Sequence, residues 1–297
     1  ASVAVSVHIG TVEASLANTV VTANDGNVLT ADDINVKANA TKTITTKSDG
    51  TQTSEDATGI GLGVAIGVVD TTTQAVLSGT TALTATNVKL SALMPESDFV
   101  VEAKAGASST GTAIAGALAM NFTFIDTGAK VLAGSNIDLN GANLELTSQA
   151  TTKSDVKGIA SQGGGDSKSG DVGVGASFAM NIRETNTLAN IENGAVATEG
   201  NGVTLSATGS HVTDTLATSG GAAKDGTGVG GALALAVVNN KTEAKIGTGT
   251  ALDVTGAVSA TADHHGASTT KADGTALGGD AAVGAAIALG FVSDSAV

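Results

Sequence analysis

A seven-residue alternation decides the fold, and it reads ASVAVSV at residues 1–7 and GALALAV at residues 231–237. Four more copies, LGVAIGV, GALAMNF, ASFAMNI and AAIALGF, lie at residues 62–68, 116–122, 176–182 and 285–291. Each copy has alanine at its fourth position and larger apolar residues at its third, fifth and seventh positions. Because successive side chains of a β-strand point to opposite faces, this period of two predicts a strand with one bulky and one small face.

The copies define a long internal repeat. Their last residues, Val7, Val68, Phe122, Ile182, Val237 and Phe291, are spaced 61, 54, 60, 55 and 54 residues apart. The extra residues of the first repeat fall around 24–33, and those of the third fall in a glycine-rich loop at 162–170. Insertions that are confined to turns while the strand pattern stays intact are typical of a stacked solenoid.

Each repeat contains three strand segments. The first is the alternating segment, the second carries apolar pairs such as Val203/Leu205, and the third is rich in Thr, Ser and Lys, as at residues 212–218. We therefore predict an all-β, parallel β-solenoid of five to six repeats of 54–61 residues. We expect residues 1–297 to form a single solenoid segment excised from a longer array. Its units are approximately 1–61, 62–115, 116–175, 176–230, 231–284 and a partial 285–297.

Composition supports a thin, layered interior. The apolar fraction of 41% is dominated by Ala and Val, with five Phe and neither Trp nor Tyr, so a thick globular core would be poorly filled. Forty glycines with abundant Thr, Val and Ser favour turns and strands over helices. The chain has no Cys, which excludes a disulfide framework or a thiolate metal site.

The charge balance bears on possible partners. The net charge of −14, with Arg183 as the only arginine, would repel nucleic-acid phosphates and anionic lipid headgroups. The sequence contains no charge-free stretch of about 18 or more bulky apolar residues. We therefore expect neither nucleic-acid binding nor insertion into a membrane.

Two phrases carry a family resemblance. They are GVGGALALAVVNNKTEAKIG at residues 228–247 and VGVGASFAMNIRETNTLANI at residues 172–191. The pattern resembles the repetitive passenger regions of large filamentous adhesins and haemagglutinin-like autotransporters of Gram-negative bacteria. The resemblance implies secretion across the outer membrane, a parallel β-solenoid and attachment at the cell surface. It carries over no functional residues.

The sequence signals for metal-binding sites are weak. The four histidines are His8, His211, His264 and His265. The last two point to opposite faces of any strand and cannot chelate one metal ion together. We therefore predict no zinc site and interpret all four as exposed turn or strand residues. Acidic turns recur at residues 25–27, 49–50, 225–226 and 273–274, where Asp and Gly suit the positive φ of tight turns. Weak calcium binding at these Asp-Gly turns stays open, but residues 163–166 match a calcium repeat poorly.

The function predicted first is an extracellular structural or adhesive stalk on a bacterial surface. Exposed turns would contact a host or neighbouring cell surface or a glycan. The alternative is a passive, self-associating filament or matrix protein. A solenoid polysaccharide-active enzyme ranks third, because the adjacent acids Asp32-Asp33 and Glu55-Asp56 lie in predicted loops. We predict no catalytic, cofactor-binding or metal-binding residue.

Two structural expectations follow from the repeat. If one unit is one wide coil, Phe122, Ile182 and Val237 form a direct ladder with steps of about 4.8 Å. If each unit instead winds three narrow coils, the same residues lie about 14 Å apart with unlike strands between them. We favour the wide coil, because the three segments differ in character as three walls would. The small face is flat enough for another sheet or molecule to approach, and Ile182→Asp is expected to be severely destabilising between apolar neighbours.

Overall fold

A computed structural model describes residues 1–23, 32–54, 57–162 and 170–297. The described residues form three parallel β-sheets, and the chain runs through the sheets in turn as it winds upward. This confirms the predicted all-β, parallel solenoid. The described part of the chain contains no helix that is long and apolar enough to cross a membrane.

The first sheet holds the long alternating strands. Its strands, in spatial order, are β1 (Ser2–Ala17), β6 (Thr58–Ser78), β9 (Thr112–Val131), β12 (Val172–Ile191), β15 (Thr227–Ile246) and β18 (Ala281–Ala296). The second sheet is a short wall made of β2 (Val20–Thr22), β7 (Thr80–Thr84), β10 (Asn136–Asp138), β13 (Val196–Gly200) and β16 (Ala251–Val254). This short wall was not predicted from the sequence.

In the third sheet the chain runs back alongside the first sheet. It consists of β3 (Ile34–Asn39), β8 (Asn87–Ser108), β11 (Asn143–Gln162), β14 (Val203–Ala222) and β17 (Val258–Leu277), with β4 (Lys42–Asp49) and β5 (Gln52–Thr53) also paired to β8. The predicted second and third segments are therefore one continuous strand in most coils. Pro95, the only proline, lies where the register between β8 and β11 shifts, a position where its missing N–H costs no ladder hydrogen bond.

The strand register confirms that one repeat is one wide coil. Ile182 pairs directly with Phe122 on one side and with Val237 on the other. The same column continues to Val68, which pairs with Phe122, and to Phe291, which pairs with Val237. Coils of different length therefore stack strand on like strand, as insertions confined to the turns would allow.

The orientation of the first sheet corrects one expectation. Its small face points inward, and Ala119, Ala179 and Ala234 are fully buried. The bulky residues of the same strands point outward, so Ile182 is only half-buried. Another sheet does approach the small face, but it is the third sheet of the same coil. The full burial that the Ile182→Asp expectation assumed is not found, because a carboxylate there would reach solvent.

The interior is a wedge whose side chains shrink along the strands. At its wide edge, where the second sheet closes the coil, the core contains large aliphatic residues: Leu77, Leu83, Leu90, Ile137, Leu139, Leu144 and Leu146. At the narrow edge, where the third sheet turns back into the first, it contains almost only alanine: Ala103, Ala105, Ala107, Ala113, Ala115, Ala117 and Ala160. Small residues at this edge let the two long sheets approach closely.

Glycines serve two different purposes at the two edges. The wide-edge corners use left-handed backbone: Gly79, Gly134, Gly194 and Gly249 have φ of 70°, 68°, 69° and 71°. In the first coil, Asn18 takes this role with φ 49°. These are conformations that residues with a Cβ other than Asn and Asp rarely adopt.

At the narrow edge the constraint is space. Gly50, Gly226 and Gly274 of the predicted Asp-Gly turns have φ outside the left-handed region, which corrects the expected turn chemistry there. A Cβ on Gly226 would lie 1.8 Å from the carbonyl oxygen of Asp171, and one on Gly274 would lie 1.9 Å from that of Ala285. Glycine is needed here because neighbouring backbone, of the adjacent coil at Gly226 and of the opposite sheet at Gly274, leaves no room for a side chain.

Candidate functional site

The most distinctive surface is the outward side of the first sheet, which we call the outer apolar face. Its centre is three columns of large apolar side chains, each column running through all six coils. The columns are Val3, Val64, Leu118, Phe178, Leu233 and Ile287; Val5, Ile66, Met120, Met180, Leu235 and Leu289; and Val7, Val68, Phe122, Ile182, Val237 and Phe291. These are the bulky positions of the repeat, so the sequence identified the residues but not the side on which they lie.

The face has relief as well as hydrophobicity. Beside the first column, which we call the ridge, lies a groove whose floor is Gly116, Ala176, Gly231 and Ala285. Part of the groove, between Leu62 and Phe178, has a volume of about 340 Å³. Leu62 closes it at one end by leaning over Gly116, while the space in front of Gly231 is open.

The apolar face ends abruptly along each strand. Beyond the third column the outward residues are mostly polar, for example Asp70, Glu184 and Asn186. Asp126 and Lys130, which follow in β9, pair with each other at 3.4 Å. The outer side of the first sheet is therefore divided into an apolar half next to the narrow edge and a charged half next to the wide edge.

A second unusual feature is a buried polar cluster around Arg183. This side chain is 1% exposed, and its Nη1 donates to Val212 O at 2.9 Å and to Thr213 Oγ1 at 3.2 Å. Its Nη2 lies 3.0 Å from Nδ1 of His211. Burial lowers the pKa of Arg183 to about 9, with Asp294 acting in the opposite direction. The guanidinium is thus still charged at neutral pH inside the coil.

His211 shares this environment, contrary to the expectation that it is exposed. It is 1% exposed, and Thr152 Oγ1 lies 2.9 Å from the same Nδ1. With two donors directed at Nδ1, the ring is the neutral tautomer protonated at Nε2. Burial, and then the charges of Arg183 and His264, lower the pKa of His211 to about 2. Sequence reasoning missed the cluster because polar residues in a solenoid interior follow the same alternation as exposed ones.

The cluster predicts a specific acid sensitivity. The unfolded chain binds a proton at His211 below about pH 6.5, whereas the folded chain, with its lowered pKa, does not. Stability is therefore lost as the pH falls below 6.5, and His211 alone should cost about 2 kcal/mol between pH 7 and pH 5. Arg183 from β12 and His264 from β17 are the ionisable groups that face this ring.

Chemical denaturation at the two pH values measures this loss. His211→Gln should remove it, whereas His265→Gln, at a side chain 70% exposed, should leave it in place. Equal pH dependence of the parent chain and His211→Gln would contradict the buried, neutral ring.

The other candidate ligands have ordinary structural roles. His264 and His265 do lie on opposite faces, and His265 is exposed as expected, whereas the His264 side chain, 7% exposed, is buried contrary to the expectation. Asp49 accepts hydrogen bonds from the backbone N–H and hydroxyl of Thr51, which lower its pKa. Asp33 binds Lys89 of the next coil, which lowers the pKa of Asp33. The residues 25–27, 55–56 and 163–166 lie outside the described residues.

The corner between the second and third sheets is lined by stacked amides. Asn143 donates to Asn87 at 3.1 Å, and Asn201 donates to Asn143 at 3.0 Å. These residues, with Glu145, line a shallow polar cleft of about 290 Å³. The ladder ties successive coils together and also presents a regular row of polar groups to solvent.

The described residues contain no group of three or more His, Cys, Asp or Glu side chains arranged to hold a metal ion. The strongest features of this part of the chain are therefore surfaces, namely the outer apolar face and the stacked corners. Comparison with protein-family models, with curated proteins and with solved structures finds no match for this chain.

Proposed function

We propose that the chain is a segment of an extracellular, non-enzymatic stalk of a large bacterial surface protein. The observation that carries the proposal is the ladder of the first sheet, which keeps one register from β1 to β18 over the described residues. Each coil adds about 4.8 Å along the stack axis and is held by its neighbours through full-length strand pairing. Such a stack is a stiff spacer whose length is set by the number of coils.

Attachment in this proposal is made by the corners. The cleft beside Asn143, Asn201 and Glu145 offers amide and carboxylate groups at a regular axial spacing. Polar groups of this kind suit hydroxyl-rich partners such as surface glycans, whereas the net charge of −14 disfavours anionic ones. The resemblance to filamentous adhesins points in the same direction.

Binding of the purified chain to cells and to a panel of neutral glycans tests the adhesive role. Glu145→Lys should weaken the binding, and Asn186→Lys, which adds the same charge type on the first sheet, should not. Absence of binding, together with ordered lateral assembly in electron micrographs, would favour a passive filament instead. Turnover of uronate polymers would contradict both and support a polysaccharide-active enzyme.

The filament is the second candidate because of one specific observation. The outer apolar face presents bulky residues to solvent in every coil, and Leu62 and Val237, for example, are 44% and 37% exposed. A contiguous apolar surface of this extent usually marks an interaction site. A filament or matrix whose rods pack side by side would cover it.

A further inference from the structure

The outer apolar face is large enough to support a stable interface by itself. Five columns make up the apolar half, from that of Ile60 to that of Val68 in steps of two residues, and every residue in them is apolar or glycine. At about 3.3 Å per residue and about 4.8 Å per strand, the face measures about 26 Å by about 29 Å, or about 750 Å². A standard protein interface buries about 800 Å² on each partner. Covering this face once is thus sufficient for a specific complex.

The shape of the outer apolar face is self-complementary. The ridge (Val64, Leu118, Phe178, Leu233 and Ile287) and the groove (Gly116, Ala176, Gly231 and Ala285) run side by side along the stack axis, about 7 Å apart. A two-fold axis that lies between them, parallel to the stack, places the ridge of one molecule over the groove of the other. A two-fold axis along the strands would instead place ridge on ridge.

We propose that the outer apolar face binds a second copy of this chain, with the two stacks parallel and the ridge of each seated in the groove of the other. This inference deepens the filament candidate and is independent of whether the corners bind glycans. A two-fold interface of this type is isologous, so the same patch serves both molecules. Its area grows with every coil in the stack.

The chemistry of the face favours a second copy over other partners. Homodimer interfaces are more apolar than interfaces between different proteins, which are enriched in Tyr, Trp and Arg. The chain has no Trp or Tyr, and its only arginine is buried. Membrane binding by apolar surfaces usually relies on flanking Lys and Arg, whereas this chain carries a net charge of −14.

Sedimentation velocity over a range of concentrations tests association. The intact chain should form a dimer, and Met180→Lys in the middle of the face should abolish it. Asn186→Lys, on the polar half of the same strand, should have no effect. Circular dichroism should show that both variants remain folded, because both side chains point outward.

Gly231→Leu distinguishes a shape-complementary interface from nonspecific hydrophobic association. It adds apolar surface and, since no atom lies within 4 Å of its Cβ position, should leave the monomer intact. Filling the groove should weaken dimerisation by at least about ten-fold if a ridge must enter it. Unchanged or tighter association of Gly231→Leu would overturn the proposed packing, and a monomer at all concentrations would overturn the proposal while leaving the stalk untouched.

Cysteine cross-linking tests the parallel orientation, since the chain has no native Cys. Val64→Cys should be cross-linked to its own copy by a short bismaleimide. A mixture of Val64→Cys and Leu233→Cys should give no mixed product, because these positions are three coils apart, or about 14 Å. Mixed products would show antiparallel stacks and overturn the proposed symmetry. Binding to neutral or anionic vesicles by a chain that stays monomeric would identify a lipid surface as the occupant instead.

Discussion

Deletion of residues 69–122 should remove one complete coil and leave a folded five-coil solenoid. The deletion joins Val68 to Thr123, and because Val68 pairs with Phe122, every remaining residue of the first sheet keeps its face. It also removes the irregularity at Pro95. In the parent chain, Asn39 and Lys42 pair with Leu93 and Ser97 of β8, which the deletion removes. After the deletion they face β11, whose partners of Leu93 and Ser97 are three residues apart, as Asn39 and Lys42 are.

The matched control removes one residue more, 69–123. The alternation after Val68 is then inverted, and Asp126 and Lys130 are forced into the interior in place of small or uncharged residues. We expect this variant to be less stable than the 69–122 deletion by at least about 3 kcal/mol, or not to fold. Urea unfolding followed by circular dichroism measures the difference. Equal stability of the two deletions would mean that the repeat is not one coil.

Adding one methyl group at the narrow edge should lower the stability of the fold when it points inward from the first sheet and leave the stability unchanged when it points outward. Gly230 and Gly231 are neighbours in β15, but the first points inward and the second outward. A Cβ on Gly230 would lie 1.9 Å from the carbonyl oxygen of Thr275, whereas nothing lies within 4 Å of one on Gly231. Gly230→Ala should therefore destabilise by about 3 kcal/mol, since the backbone of the opposite sheet must move.

Gly231→Ala should be neutral or stabilise by up to about 1 kcal/mol, because it reduces the freedom of the unfolded chain. Both variants can be compared by equilibrium denaturation at a protein concentration where the chain is monomeric. Comparable losses at both positions would show that the two sheets do not approach each other at this edge.

Much of the architecture was predictable because the repeat preserves register. Counting from one alanine to the next predicted that Phe122, Ile182 and Val237 are direct neighbours, and the pairing confirms it. The short second sheet was not predictable in the same way, since three to five residues are too few to show a period. Its best signal was the recurring corner glycine, for example Gly134 and Gly194.

The orientation of the faces could not be predicted from alternation alone. A period of two shows that Ala179 and Met180 lie on opposite faces, but it does not show which of them faces the core. The deciding information is in the opposite strand, where Gly158 and Ala160 are also small, so that two small faces can meet. The role of Arg183 was hidden for a related reason, because a buried charge follows the same alternation as an exposed one.

The small face of the first sheet forms the core and the bulky face forms the surface, and the reactivity of two adjacent cysteines distinguishes the two faces. Ala179→Cys and Met180→Cys each introduce the only thiol of the chain. At a concentration where the protein is monomeric, Met180→Cys should react with a maleimide much faster than Ala179→Cys. Ala179→Cys, at a position 0% exposed, should react only when the chain opens. Rapid labelling of Ala179→Cys with protection of Met180→Cys would show that the bulky face, not the small one, forms the core.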